Sequence, residues 1–352
     1  SKLNTALDSG DIFAQQSAQE LLPLLQQAKL LAKQYDAVIA NPPYMGNKYL
    51  NPNLKTYLKK NYQGYEKDLF SAFMIRDLQL AKESGQLGFM SPFVWMFISS
   101  YENLRAHFID HATITSLIQL EYSGFDGATV PICTFTLAKS HVSNFMGSYI
   151  RLSDFRGSEN QAPKALEAIK NPSCSWFFNA KPDYFKKIPG RPIAYWASKK
   201  IRESFSIGES LGELATPKKG LATTDNNRFL RFWFEINFLN FGVNYKDAEN
   251  AKKSNKKWFP LNKGGEFRKW YGNKEYVINW FNNGDEVKQA VIKAYNGGSY
   301  TKEIRSEDKY FKNSITWSAL TSSISSFRYS NYGALFDSAG SSMFPQKKTY
   351  EI

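Results

Sequence analysis

The feature that most constrains this chain is Asn41-Pro42-Pro43-Tyr44, set directly behind the apolar run Asp36-Ala37-Val38-Ile39-Ala40. The run is too short for a helix and reads as a buried strand. Two successive prolines cannot continue a central strand, because neither donates to the ladder. The chain must therefore leave the sheet at Asn41, the carboxyl end of the strand, where open α/β sheets place their ligands. A residue before proline is held extended, so the backbone from Asn41 to Pro43 is stiff.

The surrounding pattern supports a sheet. Before the strand, Gly10-Asp11-Ile12-Phe13 leads into a Leu- and Gln-rich helical stretch broken at Pro23. Behind it the spacing predicts an amphipathic helix over 68–81, a strand over 86–92, a helix over 95–109 and strands over 114–120 and 132–137. A glycine-rich turn, 124–131, joins the last two strands. This alternation predicts an α/β, Rossmann-like doubly wound sheet over residues 1–145. Residues 146–195, with Pro163, Pro172, Pro182, Pro189 and Pro192, read as an irregular connector. Residues 196–352 then form a second, mixed α+β domain.

Charge narrows the partner. The formal net charge is +13, and residues 246–274 carry nine Lys or Arg against three acids, interleaved with aromatic residues. Cations for phosphates and rings for bases suit nucleic acid. No run of eighteen apolar residues is present, so a membrane span is not expected. Two cysteines suit a reducing cytoplasm, and three histidines with no third ligand near His107 and His111 give no metal site.

The tetrapeptide suits one chemistry well. The six-amino group of adenine is a poor nucleophile because its lone pair is delocalised into the ring. The Asn41 side-chain carbonyl and the Pro42 main-chain carbonyl can each accept one of its hydrogens. Accepting both drives the nitrogen toward tetrahedral geometry and returns the lone pair for attack on a methyl sulfonium. Tyr44 can stack on a base taken out of its duplex.

These residues resemble the catalytic motif of the gamma-class amino-methyltransferases acting on DNA adenine, and the whole chain resembles the adenine methyltransferases of bacterial BREX phage-defence systems. The stretches that carry the likeness are 38–50, 67–104, 124–139, 220–233, 258–280 and the closing 315–344. The resemblance implies a Rossmann-like methyltransferase sheet, incomplete at its N-terminus, followed by a mixed α+β target-recognition domain. It implies S-adenosylmethionine as cofactor, double-stranded DNA as substrate and other BREX proteins as partners. By position, Asp11 falls where the cofactor's adenine amino group is held, and Phe73 where an aromatic lines that pocket. Phe125 and Tyr44 fall where rings pack on the flipped base. Asp11 also suits a helix N-cap, and Phe73 a core position. Lys218, Lys219, Arg228, Lys263, Arg268, Lys269 and Arg328 are candidate DNA contacts, with surface ion pairs as their alternative. Only ten residues precede Asp11, so the family's upstream glycine-rich cofactor loop is expected outside this chain, which by itself would then be inactive. Two other readings stay open: a protein glutamine methyltransferase, which shares the tetrapeptide, and a non-catalytic DNA-recognition module.

Overall fold

The computed structural model describes residues 2–122, 124–125, 130–321 and 324–346. Asp126 to Thr129 of the glycine-rich turn lie outside the described residues. The chain divides into two compact units, Ser1–Gly208 and Glu209–Ile352.

The first unit is built on a six-stranded sheet. Helices α1 (Lys2–Leu7) and α2 (Ile12–Ala32) precede β1 (Tyr35–Ala40); α3 (Pro52–Asn61) and α4 (Leu69–Leu80) lead to β2 (Ala81–Pro92). After α5 (Glu102–His111) come β3 (Thr113–Gln119), β4 (Ile132–Ala138), β5 (Gly147–Arg151), α6 (Ser158–Lys170), β6 (Phe177–Ala180), α7 (Pro182–Lys186) and α8 (Lys199–Ile207). Sheet order is β1-β2-β4-β3-β5-β6. The local signals are legible: Asn51 caps α3 through Leu54 N at 2.8 Å with Pro52 next in line, and Asp68 caps α4. One face of α4 buries Phe70, Met74 and Leu78 with Trp95, Phe108 and Phe135 in the main core.

Four expectations are corrected. The sheet is mixed: β1 pairs parallel with β2, but β4 inserts antiparallel between β2 and β3. Strand β1 is an edge strand among the described residues, and Ile39 is 86% exposed rather than buried. The 146–195 connector is part of the first unit, because β5 pairs parallel with β3, and β6 antiparallel with β5. The two units therefore divide after Gly208 instead of 195. Helix α2 also runs through Pro23, capped at its start by Asp11.

A buried arginine fastens the carboxyl end of the sheet. Arg105, 1% exposed, donates to the carbonyls of Trp95 (2.8 Å) and Ile98 (2.7 Å), and through Nε and Nη2 to that of Gly190. Four charge-assisted bonds offset the cost of taking the guanidinium out of water. They tie the segment after β2 to the turn after α7.

The second unit holds two four-stranded sheets. Its strands are β7 (Ala215–Lys218), β8 (Leu230–Phe232), β9 (Trp258–Asn262), β10 (Tyr276–Asn279), β11 (Ser314–Trp317), β12 (Phe327–Ser330), β13 (Leu335–Phe336) and β14 (Ser342–Pro345). They are ordered β13-β9-β10-β8 and β12-β11-β14-β7. A core of Phe229, Phe259, Ile278, Trp280, Val287, Phe311 and Leu335 makes this the mixed α+β unit that the sequence predicts. Among the described residues no helix is long and apolar enough to cross a membrane.

Candidate active site

Strand β1 ends at Ala40, and Asn41 to Met45 leave the sheet as an extended loop. Pro42 is buried, while Asn41, Pro43 and Tyr44 are exposed. The Tyr44 hydroxyl donates to Asn41 Oδ1 at 2.9 Å, so the ring clamps the amide that precedes it by three residues. Burial, and then the nearby Cys133, push the Tyr44 hydroxyl above its ordinary pKa, which keeps it a donor. Among the described residues no intramolecular hydrogen bond ends on the Pro42 carbonyl. Both carbonyls of the motif thus stand at the sheet's carboxyl edge, one oriented by Tyr44 and one without an internal donor.

The start of α4 holds the far end of this loop. Asp68 accepts from Met45 N at 3.0 Å and from Phe70 N at 3.3 Å, and Leu69 N donates back to Met45 O at 3.0 Å. Burial raises the Asp68 carboxyl against the pull of these donors. One turn on, Phe73 is 40% exposed and walls a cavity of ≈ 140 Å³ with Tyr57, Tyr62, Leu69 and Arg76. This ring-lined surface is almost wholly apolar. Asp11 does what its alternative reading proposed: Oδ1 accepts from Phe13 N at 2.9 Å and Ala14 N at 3.2 Å. Its Oδ2 makes neither bond, and no contact among the described residues links Asp11 to Asn41, Phe73 or Phe125.

Phe125 sits in the turn between β3 and β4, at the same end of the sheet as Asn41, and is 40% exposed. The turn is drawn toward β2 by Phe93 N, which donates to Pro131 O at 2.7 Å. With β2 between β1 and the β4–β3 pair, strand spacing sets the two ends about 10–14 Å apart. Behind the turn, Gln161 of α6 accepts from Glu121 N at 3.0 Å, and its amide nitrogen donates to Phe155 O and Gly157 O. Below it, Trp95 Nε1 donates to Ser91 Oγ at 3.2 Å beside Cys133, whose thiol burial pushes up to about 12. Asp68 carried a sequence signal as a cap before an apolar helix; Gln161 and Arg105 carried none, because each reaches a partner far away in the chain, Glu121 and Gly190.

The candidate DNA contacts of the second unit divide by environment. Lys219, Arg268 and Lys269 are exposed, and Lys218 is half-buried on β7. Arg228 lies over the Phe229 ring and 3.9 Å from Glu286. Lys263 is a half-buried partner of Asp337 at 3.0 Å, which leaves it little freedom to meet a phosphate. Arg328 is corrected outright: it is 1% exposed, and its guanidinium donates to Ser326 Oγ, Ser318 Oγ and Arg268 O. Among the described residues no cluster of three metal-ligating side chains occurs.

The family described as Eco57I restriction-modification methylase matches residues 4–125. The adenine-specific methyltransferase PglX of Lacticaseibacillus casei (strain Zhang) is 37% identical over 338 residues, covering 94% of this chain and 27% of that protein. The adenine-specific methyltransferase BrxX of Escherichia coli O9:H4 (strain HS) is 38% identical over 339 residues, covering 95% of this chain and 26% of that protein. The chain spans about a quarter of the length of these curated relatives. A solved structure of the Type IIL restriction-modification enzyme MmeI in complex with DNA matches in fold, with a TM-score of 0.52 and 12% identity over 88% of this chain and 41% of that one. Near-complete coverage of the chain by two such relatives, with the tetrapeptide loop and its buttresses in place, decides the matter: the chain belongs to the family of the adenine-specific methyltransferases PglX and BrxX.

Proposed function

We propose that this chain supplies the target-base pocket and a DNA-reading unit of a site-specific DNA adenine methyltransferase that marks host DNA in a bacterial phage-defence system, working beside other BREX proteins in the cytoplasm. The observation that carries the reading is the Asn41–Tyr44 clamp, an amide oxygen held at 2.9 Å by a tyrosine hydroxyl at the open end of the sheet. The relatives named for adenine-specific methylation favour a base over a glutamine side chain as the acceptor.

In this reading Asn41 Oδ1 and Pro42 O accept the two hydrogens of the flipped adenine's amino group, and Tyr44 and Phe125 hold the ring from two sides. Positioning does most of the catalytic work. S-adenosylmethionine supplies an electrophilic methyl group when bound; Phe73 and its cavity fit the cofactor's adenine, with Asp11 Oδ2 as the acceptor for its amino group. Lys218, Lys219, Arg228, Arg268 and Lys269 meet DNA phosphates or base edges. The test is transfer of labelled methyl groups to duplex DNA by the natural polypeptide carrying Asn41→Ala. Methylation falls at least a hundredfold while duplex affinity stays within twofold of wild type. Equal loss of both overturns the catalytic assignment of Asn41.

A further inference from the structure

The connection between β9 and β10 carries an unusual surface. Phe267, Trp270 and Tyr271 are 47%, 77% and 69% exposed, and Arg268 and Lys269 between them are exposed too. Three large rings in water with two cations threaded among them would ordinarily belong to a loose segment. This one is pinned. Trp270 N donates to Phe327 O and Tyr329 N donates to Trp270 O, both at 2.9 Å, so the loop lies along the open edge of β12. Gly265 exchanges two bonds with Ser318 Oγ, and the buried Asn273 donates to Glu266 O at 3.1 Å. Arg328 reaches from beneath to Arg268 O and Ser318 Oγ.

Trp270 is also held at φ 69°, a backbone region that glycine enters freely and a bulky side chain resists. Strain kept at an exposed position is a pointer to use. The charge around it selects the occupant: Arg268 and Lys269 have no carboxylate within ion-pair distance among the described residues, and Lys274 lies 4.5 Å over the Tyr271 ring. Such a surface is complementary to a polyanion that offers flat apolar faces between its charges.

We infer that the 265–272 loop is a wedge for duplex DNA, with Trp270 entering between or against base pairs while Arg268 and Lys269 neutralise the flanking phosphates. The inference rests on the DNA reading of the second unit and assigns it a contact residue and a mode. Arg328 is then a positioning residue that aims the loop from below.

Trp270→Gly is the decisive variant, because glycine relieves the left-handed backbone and the protein should keep or raise its Tm. Binding of the chain to a fluorescent mixed-sequence duplex is followed by anisotropy across a salt series, beside the double variant Arg268→Ala/Lys269→Ala. Trp270→Gly lowers affinity about tenfold at every salt concentration and leaves the slope of log K against log salt unchanged. The double charge variant flattens that slope by about two. If the wild-type chain fails to bind DNA, the DNA reading falls and the wedge with it. If the wild-type chain binds and Trp270→Gly binds equally well, the wedge alone is overturned. A loss of affinity accompanied by a fall in Tm overturns it too, and makes Trp270 structural. Loss of a self-associated state with DNA affinity unchanged would assign the loop to a protein interface instead.

Discussion

Asp77, near the end of α4, is a carboxyl group buried without adequate compensation. It is 6% exposed, and its Oδ2 has no hydrogen-bond partner among the described residues. Burial lifts its pKa from 3.8 to about 6, with the adjacent Arg76 opposing. A carboxyl whose folded pKa lies above the unfolded one favours the fold while protonated. Its contribution is complete below about pH 4 and is lost as pH rises through about 6. At 1.36 kcal/mol per pH unit, the interval from 3.8 to about 6 corresponds to about 3 kcal/mol of stability surrendered by pH 8. Asp77→Asn keeps the shape and removes the charge. Urea denaturation of the variant and of wild type, at pH 5 and pH 8, separates the two proteins. At pH 8 the variant gains about 1–3 kcal/mol, the lower figure allowing for an amide that inherits the unpaired position. At pH 5 about half of that loss already stands, so the gain is smaller than at pH 8 by about 1.4 kcal/mol. If wild type and variant show the same difference at both pH values, Asp77 is not the buried charge that the geometry describes.

Two further outcomes follow from the same unit. Tyr44→Phe removes the hydroxyl that fixes Asn41 Oδ1, so single-turnover methylation falls about two- to tenfold, the worth of one neutral hydrogen bond, while Kd for DNA holds. Full activity in Tyr44→Phe would show that the amide is oriented by something else. Arg105→Met leaves the carbonyls of Trp95, Ile98 and Gly190 unsatisfied in the interior, and the midpoint of urea unfolding drops to match a loss of about 3 kcal/mol. A change below about 0.5 kcal/mol would mean that those carbonyls find other donors.

Much of the first unit was legible because its signals are local. The apolar run before two prolines, the cap at Asp68 and the helical spacing of Phe70, Met74 and Leu78 depend only on near neighbours in the chain. Direction within the sheet did not show, because a strand of given sequence runs either way and its partner decides; hence the reversed β4. Strands β5 and β6 are only five and four residues long, and β6 lies between Pro172 and Pro182, so their pairing is set by the sheet they join and not by their own pattern. The exposed edge at Ile39 escaped notice for a related reason: an apolar strand reads as buried whether or not a neighbour covers it. Arg328 shows the limit for function. A lone arginine in a basic domain reads as a surface contact, and only the convergence of Ser318, Ser326 and a loop carbonyl reveals that it is structural.

The reversal of β4 has a practical meaning for how such a fold can diversify. Because β3 and β4 pair antiparallel, the connection between them lies at the same end of the sheet as Asn41, and the chain turns around there and re-enters the sheet. Residues can be added to or removed from that connection without re-registering a single rung below it. Strands β1 and β2 and the Tyr44 bond to Asn41 can therefore stay constant while that connection changes, which lets one sheet carry many different loops.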